Sequence, residues 1–223
     1  MAEKNIRKAK PTGNSAALRF GAIIFWILAI VAEVIGILIL LGNIPTPEAY
    51  LLYFLIGAIV IDLIFVIIGS QMWKKANHIK PASEKNPLAF WLYNNLGVIV
   101  SVIAFAPLLI LILLNKDADK KTKTIAAIVA AVALAIAGVS SYDFNPVSQE
   151  DLARAEAYFQ NTDVFYTKNG KVYHSHADCG YLKNSKEVFE AKVSKAFEEN
   201  KTRLCKSCAK KDNVTNEILA IQE

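Results

Sequence analysis

The chain has 223 residues, 54% of them hydrophobic and 20% charged, with a formal net charge of +5. Residues 1–140 carry 13 Lys and Arg against 7 Asp and Glu and hold every long apolar run, whereas residues 141–223 carry 12 against 13, all three cysteines and two of the three histidines. That split excludes one continuous globular domain, and the apolar content excludes disorder; the C-terminal part, at −1, has no basic footprint for nucleic acid.

A basic tail, residues 1–17, opens the chain. Four apolar stretches follow, each near the length of about 20 residues that a helix needs to cross a bilayer. They run over about 18–41, 49–69, 88–114 and 124–142. None has the short apolar core and small-residue cleavage site of a signal peptide. Nor does any show the polar face that a buried helix of a soluble protein would present. The predicted fold class is therefore an all-α transmembrane four-helix bundle with a small α+β zinc-binding C-terminal module.

Basic residues set the expected orientation. Lys4, Arg7, Lys8, Lys10 and Arg19 precede or open the first span, and Lys74, Lys75, Lys80 and Lys85 follow the second. The Asn43–Glu48 turn has none, while Lys116, Lys120, Lys121 and Lys123 lie between the third and fourth. Placing both termini in the cytoplasm puts nine of these residues inside and four outside.

Polar groups within the spans are expensive and by default mark function. Glu33 lies in the first span and Asp62 in the second, at depths differing by roughly 7–8 Å, too far apart to pair directly. Asn94 and Asn95 follow Trp91 and Tyr93, whose rings suit a membrane interface. Pro107 is expected to kink the third span. Ala127, Ala131 and Ala135 place small residues on one face of the fourth. Glu33 and Asp62 read either as helix glue or as a conduction or sensing site.

Beyond the spans, Ser148-Gln149-Glu150-Asp151 has capping-box spacing and predicts a linker helix within 143–160. The module proper is placed at 161–212, with a tail at 213–223. Val164–Thr167 and Lys171–His174 flank Asn169-Gly170, which predicts a hairpin with positive φ at both turn residues. Phe189, Val193, Ala196 and Phe197 fall on one face of a helix expected over 186–200. His78, in a basic loop, is expected to be solvated.

A core this small usually needs a staple. His174-x4-Cys179 and Cys205-x2-Cys208 supply one nitrogen and three sulfurs, a closed tetrahedral zinc set that uses every cysteine. His176, with His176-x2-Cys179 spacing, is the rival ligand to His174. A redox Cys-x-x-Cys would need a βαβ context, and a disulfide would strand one thiol.

Val172-Tyr173-His174-Ser175-His176-Ala177-Asp178-Cys179-Gly180-Tyr181-Leu182, followed by Leu204-Cys205-Lys206-Ser207-Cys208, resembles the small Ada-like zinc-binding module of bacterial proteins. The resemblance covers about residues 164–211. It implies His174, Cys179, Cys205 and Cys208 as ligands and Leu182 as a core residue; where that family often has Gly-x-x-Pro, this chain has Asn200-Lys201-Thr202-Arg203. The whole layout also resembles uncharacterised four-helix bacterial membrane proteins, through Gly69–Asn77 and Asp119–Lys123. That likeness implies no activity.

Three functional classes follow. The first is a bacterial inner-membrane protein, multi-pass, whose zinc module is an interaction or regulatory element, with other protein chains and the lipid bilayer as partners and no catalysis. The second is a small transporter or channel component using Glu33 and Asp62. The third is a membrane-tethered, nucleic-acid-related enzyme, suggested by the nucleases that carry such modules; no catalytic residues or second metal cluster support it, and no small-molecule ligand can be named.

Overall fold

The computed structural model describes residues 5–10, 12–160 and 162–221; Lys4 and the expected module boundary at Asn161 lie outside them. The described residues form eight α-helices and one three-stranded sheet. They divide into two compact units, one of residues 16–74 and 92–143, the other of residues 5–10, 12–15, 75–91, 144–160 and 162–221.

The first unit is built on long apolar helices: α1 (Ser15–Leu40), α2 (Leu51–Ile79), α4 (Leu96–Leu114) and α5 (Lys120–Ser141). All four are long and apolar enough to cross a membrane. They share a core that includes Ala29, Leu55, Ile59, Val66, Phe105, Leu108, Ala130 and Ala137. Outward-facing positions are apolar too, among them Phe20, Ile27, Phe54, Ile61, Leu113 and Val139. Helices apolar all round need an apolar surrounding.

The helix ends differ from expectation in three places. Helix α2 continues ten residues beyond Gly69. The third apolar stretch is two helices, α3 (Pro87–Asn94) and α4, because Asn95 leaves helical geometry at φ −104°, ψ 12°. Helix α5 begins early, at Lys120, because the Asp119 side chain caps it by accepting from the Lys121 and Thr122 amides at 2.9 and 3.0 Å.

Small residues allow close packing, but on a different face from the one the spacing suggested. Ala126, Ala130, Ala133 and Ala137 are buried on α5, while Ala131 and Ala135 face outward. Gly97 on α4 has no substitute, since a Cβ there would lie 2.7 Å from the Ser70 hydroxyl and 3.2 Å from Ser141 Cβ. Trp26, Trp73 and Tyr93 cluster with the Arg19 guanidinium over the last two rings, 5.8 and 5.1 Å from their centroids.

The second unit contains α3's first turns, α6 (Gln149–Phe159), α7 (Val193–Glu198), α8 (Lys206–Asp212) and strands β1 (Asn5–Lys8), β2 (Val164–Tyr166) and β3 (Glu187–Ala191). Sheet order is β1-β3-β2, parallel between β1 and β3 and antiparallel between β3 and β2. The expected helix over 186–200 is thus a strand followed by a short helix. Val188 and Phe189 favour extended backbone, and pairing on both sides supplies hydrogen bonds that a local helix would otherwise provide.

The Asn-Gly hairpin also fails as drawn. Phe165 and His174 exchange both backbone hydrogen bonds, at 2.8 and 2.7 Å, but that is a single bridge across a wide loop. Asn169 and Gly170 do not take positive φ; instead the Gly170 amide donates to Thr167 Oγ1 at 3.0 Å. The edge beyond Tyr173 is taken by Leu204, and Leu204 in turn by Ile221. Residues 213–221, expected as a tail, are packed, with Val214 and Leu219 buried.

Candidate metal centre

Three segments converge on one buried point. His174 ends the bridge to Phe165, and Cys205 follows Leu204 in the neighbouring pairing, its amide donating to the Tyr173 carbonyl at 2.9 Å. Cys205 is the N-cap of α8, which places Cys208 one turn into that helix. Cys179 caps a 3₁₀ turn over Gly180–Leu182, and the Leu182 amide donates to the Cys179 carbonyl at 2.9 Å. Leu182 is buried in the core.

The side chains of His174, Cys179, Cys205 and Cys208 are all buried, and one ligand atom from each lies within 4.8 Å of the others. His174 Nδ1 is 3.8 Å from Cys208 Sγ. A tetrahedral ion with bonds of about 2.0–2.3 Å spaces its ligand atoms by roughly 3.4–3.8 Å, so the donor set fits a metal ion. Burial pushes the Cys179 thiol up to about 12, with Cys208 and Cys205 adding to the effect. A bound divalent cation reverses that balance and holds thiolates.

His176 stands outside this cluster. Its Nε2 lies 2.5 Å from Asp212 Oδ1, and Ser175 Oγ donates to Asp212 Oδ2 at 2.5 Å. Asp212 therefore ties the 175–176 turn to the end of α8. Asn213 then closes the helix in the left-handed conformation, φ 56°, with the Val214 amide donating to the Ala209 carbonyl. Asn200 takes φ 60°, a conformation that Asn tolerates next best after Gly.

Aromatic packing backs the centre. Tyr173, adjacent to His174, meets Phe159 edge-on at 5.7 Å and Phe197 at 6.1 Å. His78, expected in solvent, is buried, and its Nδ1 lies 3.2 Å from the Phe197 carbonyl. Ser148 caps α6 through the Asp151 amide at 3.0 Å. Glu150 accepts from Ser83 Oγ at 2.5 Å and from the Glu84 amide at 3.0 Å, fixing the 75–91 segment to α6; these bonds hold its carboxyl below the usual range.

The polar candidates Glu33, Asp62, Asn94 and Asn95 lie in the other unit, and all are buried. Pro107 has no N–H, and its ring disturbs the local helical ladder; the next amide, Leu108 N, donates to Glu33 Oε1 at 3.3 Å. Asp62 is 1% exposed and its Oδ1 has no hydrogen-bond partner. No hydrogen bond joins the two carboxyls among the described residues, and Glu33 bonds elsewhere. Asn94 and Asn95 sit at the α3–α4 break, beside Tyr93, whose carbonyl accepts from Trp73 Nε1 at 2.9 Å. Sequence reasoning missed the hydroxyl chain Ser101–Ser141–Ser70, linked at 3.2 and 2.9 Å. Its members are too far apart in sequence to signal one another.

No protein-family model, curated protein or solved structure matches the chain.

Proposed function

We propose that this chain is an integral membrane protein whose four long helices cross the bilayer. In this reading the unit of residues 5–10, 75–91 and 144–221 is a zinc-stapled interaction or regulatory element on one membrane face. The observation that carries it is the buried cluster of His174, Cys179, Cys205 and Cys208. Three thiolates and one imidazole in a tetrahedral set select zinc over harder cations. Four protein ligands leave no position for a substrate or an activated water, which argues for a structural rather than a catalytic ion. The Ada-like resemblance points the same way.

The composition of the unit supports an even number of crossings. Segments before α1, after α2 and after α5 fold together, so helices that span must return the chain to one side each time. The basic residues of the first two segments favour the cytoplasmic side, where reduced thiols also persist. Metal analysis of the purified full chain tests the reading: one zinc per chain supports it, and a folded protein without a bound metal contradicts it.

A second reading rests on Asp62. A buried carboxyl with an unpartnered oxygen is the arrangement in which a proton or cation could be exchanged.

A further inference from the structure

A cavity of about 670 Å³ opens within the unit that holds the metal centre, and none of His174, Cys179, Cys205 and Cys208 lines it. Its wall is a row across the sheet: Arg7, Phe189 and Tyr166 occupy matching positions on β1, β3 and β2, and the two rings stack at 5.7 Å. Around that wall seven cations face three carboxylates. The carboxylates are already engaged. Glu187 pairs with Arg7 at 2.8 Å, and Glu198 and Glu199 take Lys195 and Lys75 at 2.9–3.9 Å.

Four lysines of the lining make no ion pair among the described residues: Lys8, Lys10, Lys168 and Lys201. Lys201 is the most telling. It is 9% exposed, and its ammonium donates to the Lys168 carbonyl at 3.3 Å, leaving two donors unused. Burial pulls its pKa down, opposed by Glu199. A desolvated ammonium with a neutral acceptor is a charge awaiting an anion. Converging lysines from separate segments suit a multiply charged, roughly spherical group better than a single carboxylate, because each ammonium acts as a point charge rather than a planar fork.

We propose that this cavity binds a phosphate-bearing anion, held by Lys201 and Lys168 with Lys8 and Lys10 at its mouth. Two sources carry that chemistry, the headgroup of an anionic phospholipid and a soluble phosphate compound. The test uses full-length protein in two arms. In neutral detergent at low salt, inorganic pyrophosphate is titrated calorimetrically; in phosphatidylcholine nanodiscs with and without phosphatidic acid, bound phosphatidic acid is counted by native mass spectrometry. Saturable binding is expected in at least one arm, identifying the source, with a loss of roughly tenfold in Lys168→Gln/Lys201→Gln. If the double variant loses its metal or its fold, Lys168→Gln and Lys8→Gln, both exposed positions, carry the test with smaller losses of roughly threefold each. Absence of binding in both arms, or variants that bind as the wild type does, overturns the proposal.

Discussion

Ile6 lies directly opposite Val188 in a parallel strand pair. The two are 182 positions apart, and between them run all four long apolar helices. The Ala9 amide extends the pairing by donating to the Glu190 carbonyl at 2.9 Å. Strand β1 therefore covers one edge of β3, whose other edge belongs to β2, and Asn5–Lys8 complete a sheet built mostly from the last third of the chain.

Removing residues 2–10 should expose that edge. Backbone amides of β3 that now bond to β1 are expected to exchange faster with solvent deuterium, whereas the Phe165–His174 bridge should keep its protection. Unchanged exchange across 187–191 would contradict the pairing.

Glu198 ties three segments of the same unit. It accepts from the Gly13 amide at 2.9 Å and pairs with Lys195 at 2.9 Å and Lys75 at 3.3 Å. Burial alone pushes its carboxyl up, but these donors outweigh burial and hold it below the usual range. A depressed folded-state pKa adds stability above the unfolded value near 4.5 and loses it as pH falls through the folded one. Glu198→Gln should therefore cost about 1–3 kcal/mol at pH 7. The gap in melting temperature from the wild type should narrow below pH 4.5; a gap independent of pH would show that charge plays no part.

The clustered donors His174, Cys179, Cys205 and Cys208 were legible because each pair has a short local spacing, although it is the fold that brings the two pairs together. The long helices were legible from length and apolarity. Strand β1 was not, since Asn5-Ile6-Arg7-Lys8 reads as a basic tail and its partner lies at Val188. Strand β3 was misread because Phe189, Val193, Ala196 and Phe197 also satisfy helical spacing, and only sheet pairing separates the two. The Asn169-Gly170 turn failed for a related reason: Tyr173 pairs with Leu204, on the edge away from β2. Long-range partners decided each of these.

The acids of the long helices give a separable pair of outcomes. If they only hold the helices as protonated groups, Glu33→Gln keeps the acceptor for the Leu108 amide, and Asp62→Asn keeps the shape and hydrogen-bonding capability of the side chain. Both should change thermal stability by less than about 1 kcal/mol. Reconstituted vesicles should then show no proton or cation flux in wild type or variants. Flux in the wild type that Asp62→Asn abolishes would establish the second reading instead.

Topology follows from the shared unit. Single cysteines at the exposed positions Lys85 and Asn169, introduced singly and probed with an impermeant thiol reagent in intact cells, should behave alike. Positions Asn43 and Lys116 should show the opposite accessibility. Lys85 and Asn169 labelling from opposite sides would rule out four crossings.

The most direct test of the zinc staple follows metal and fold together in the full chain. Purified protein should contain one zinc, which Cys179→Ser, Cys205→Ser and His174→Ala remove and His176→Ala, whose ring is held by Asp212, does not. Chelation should then collapse deuterium-exchange protection across 164–221 while far-ultraviolet dichroism keeps the signal of the long helices. A chain that retains protection across 164–221 after its metal is stripped would contradict the account.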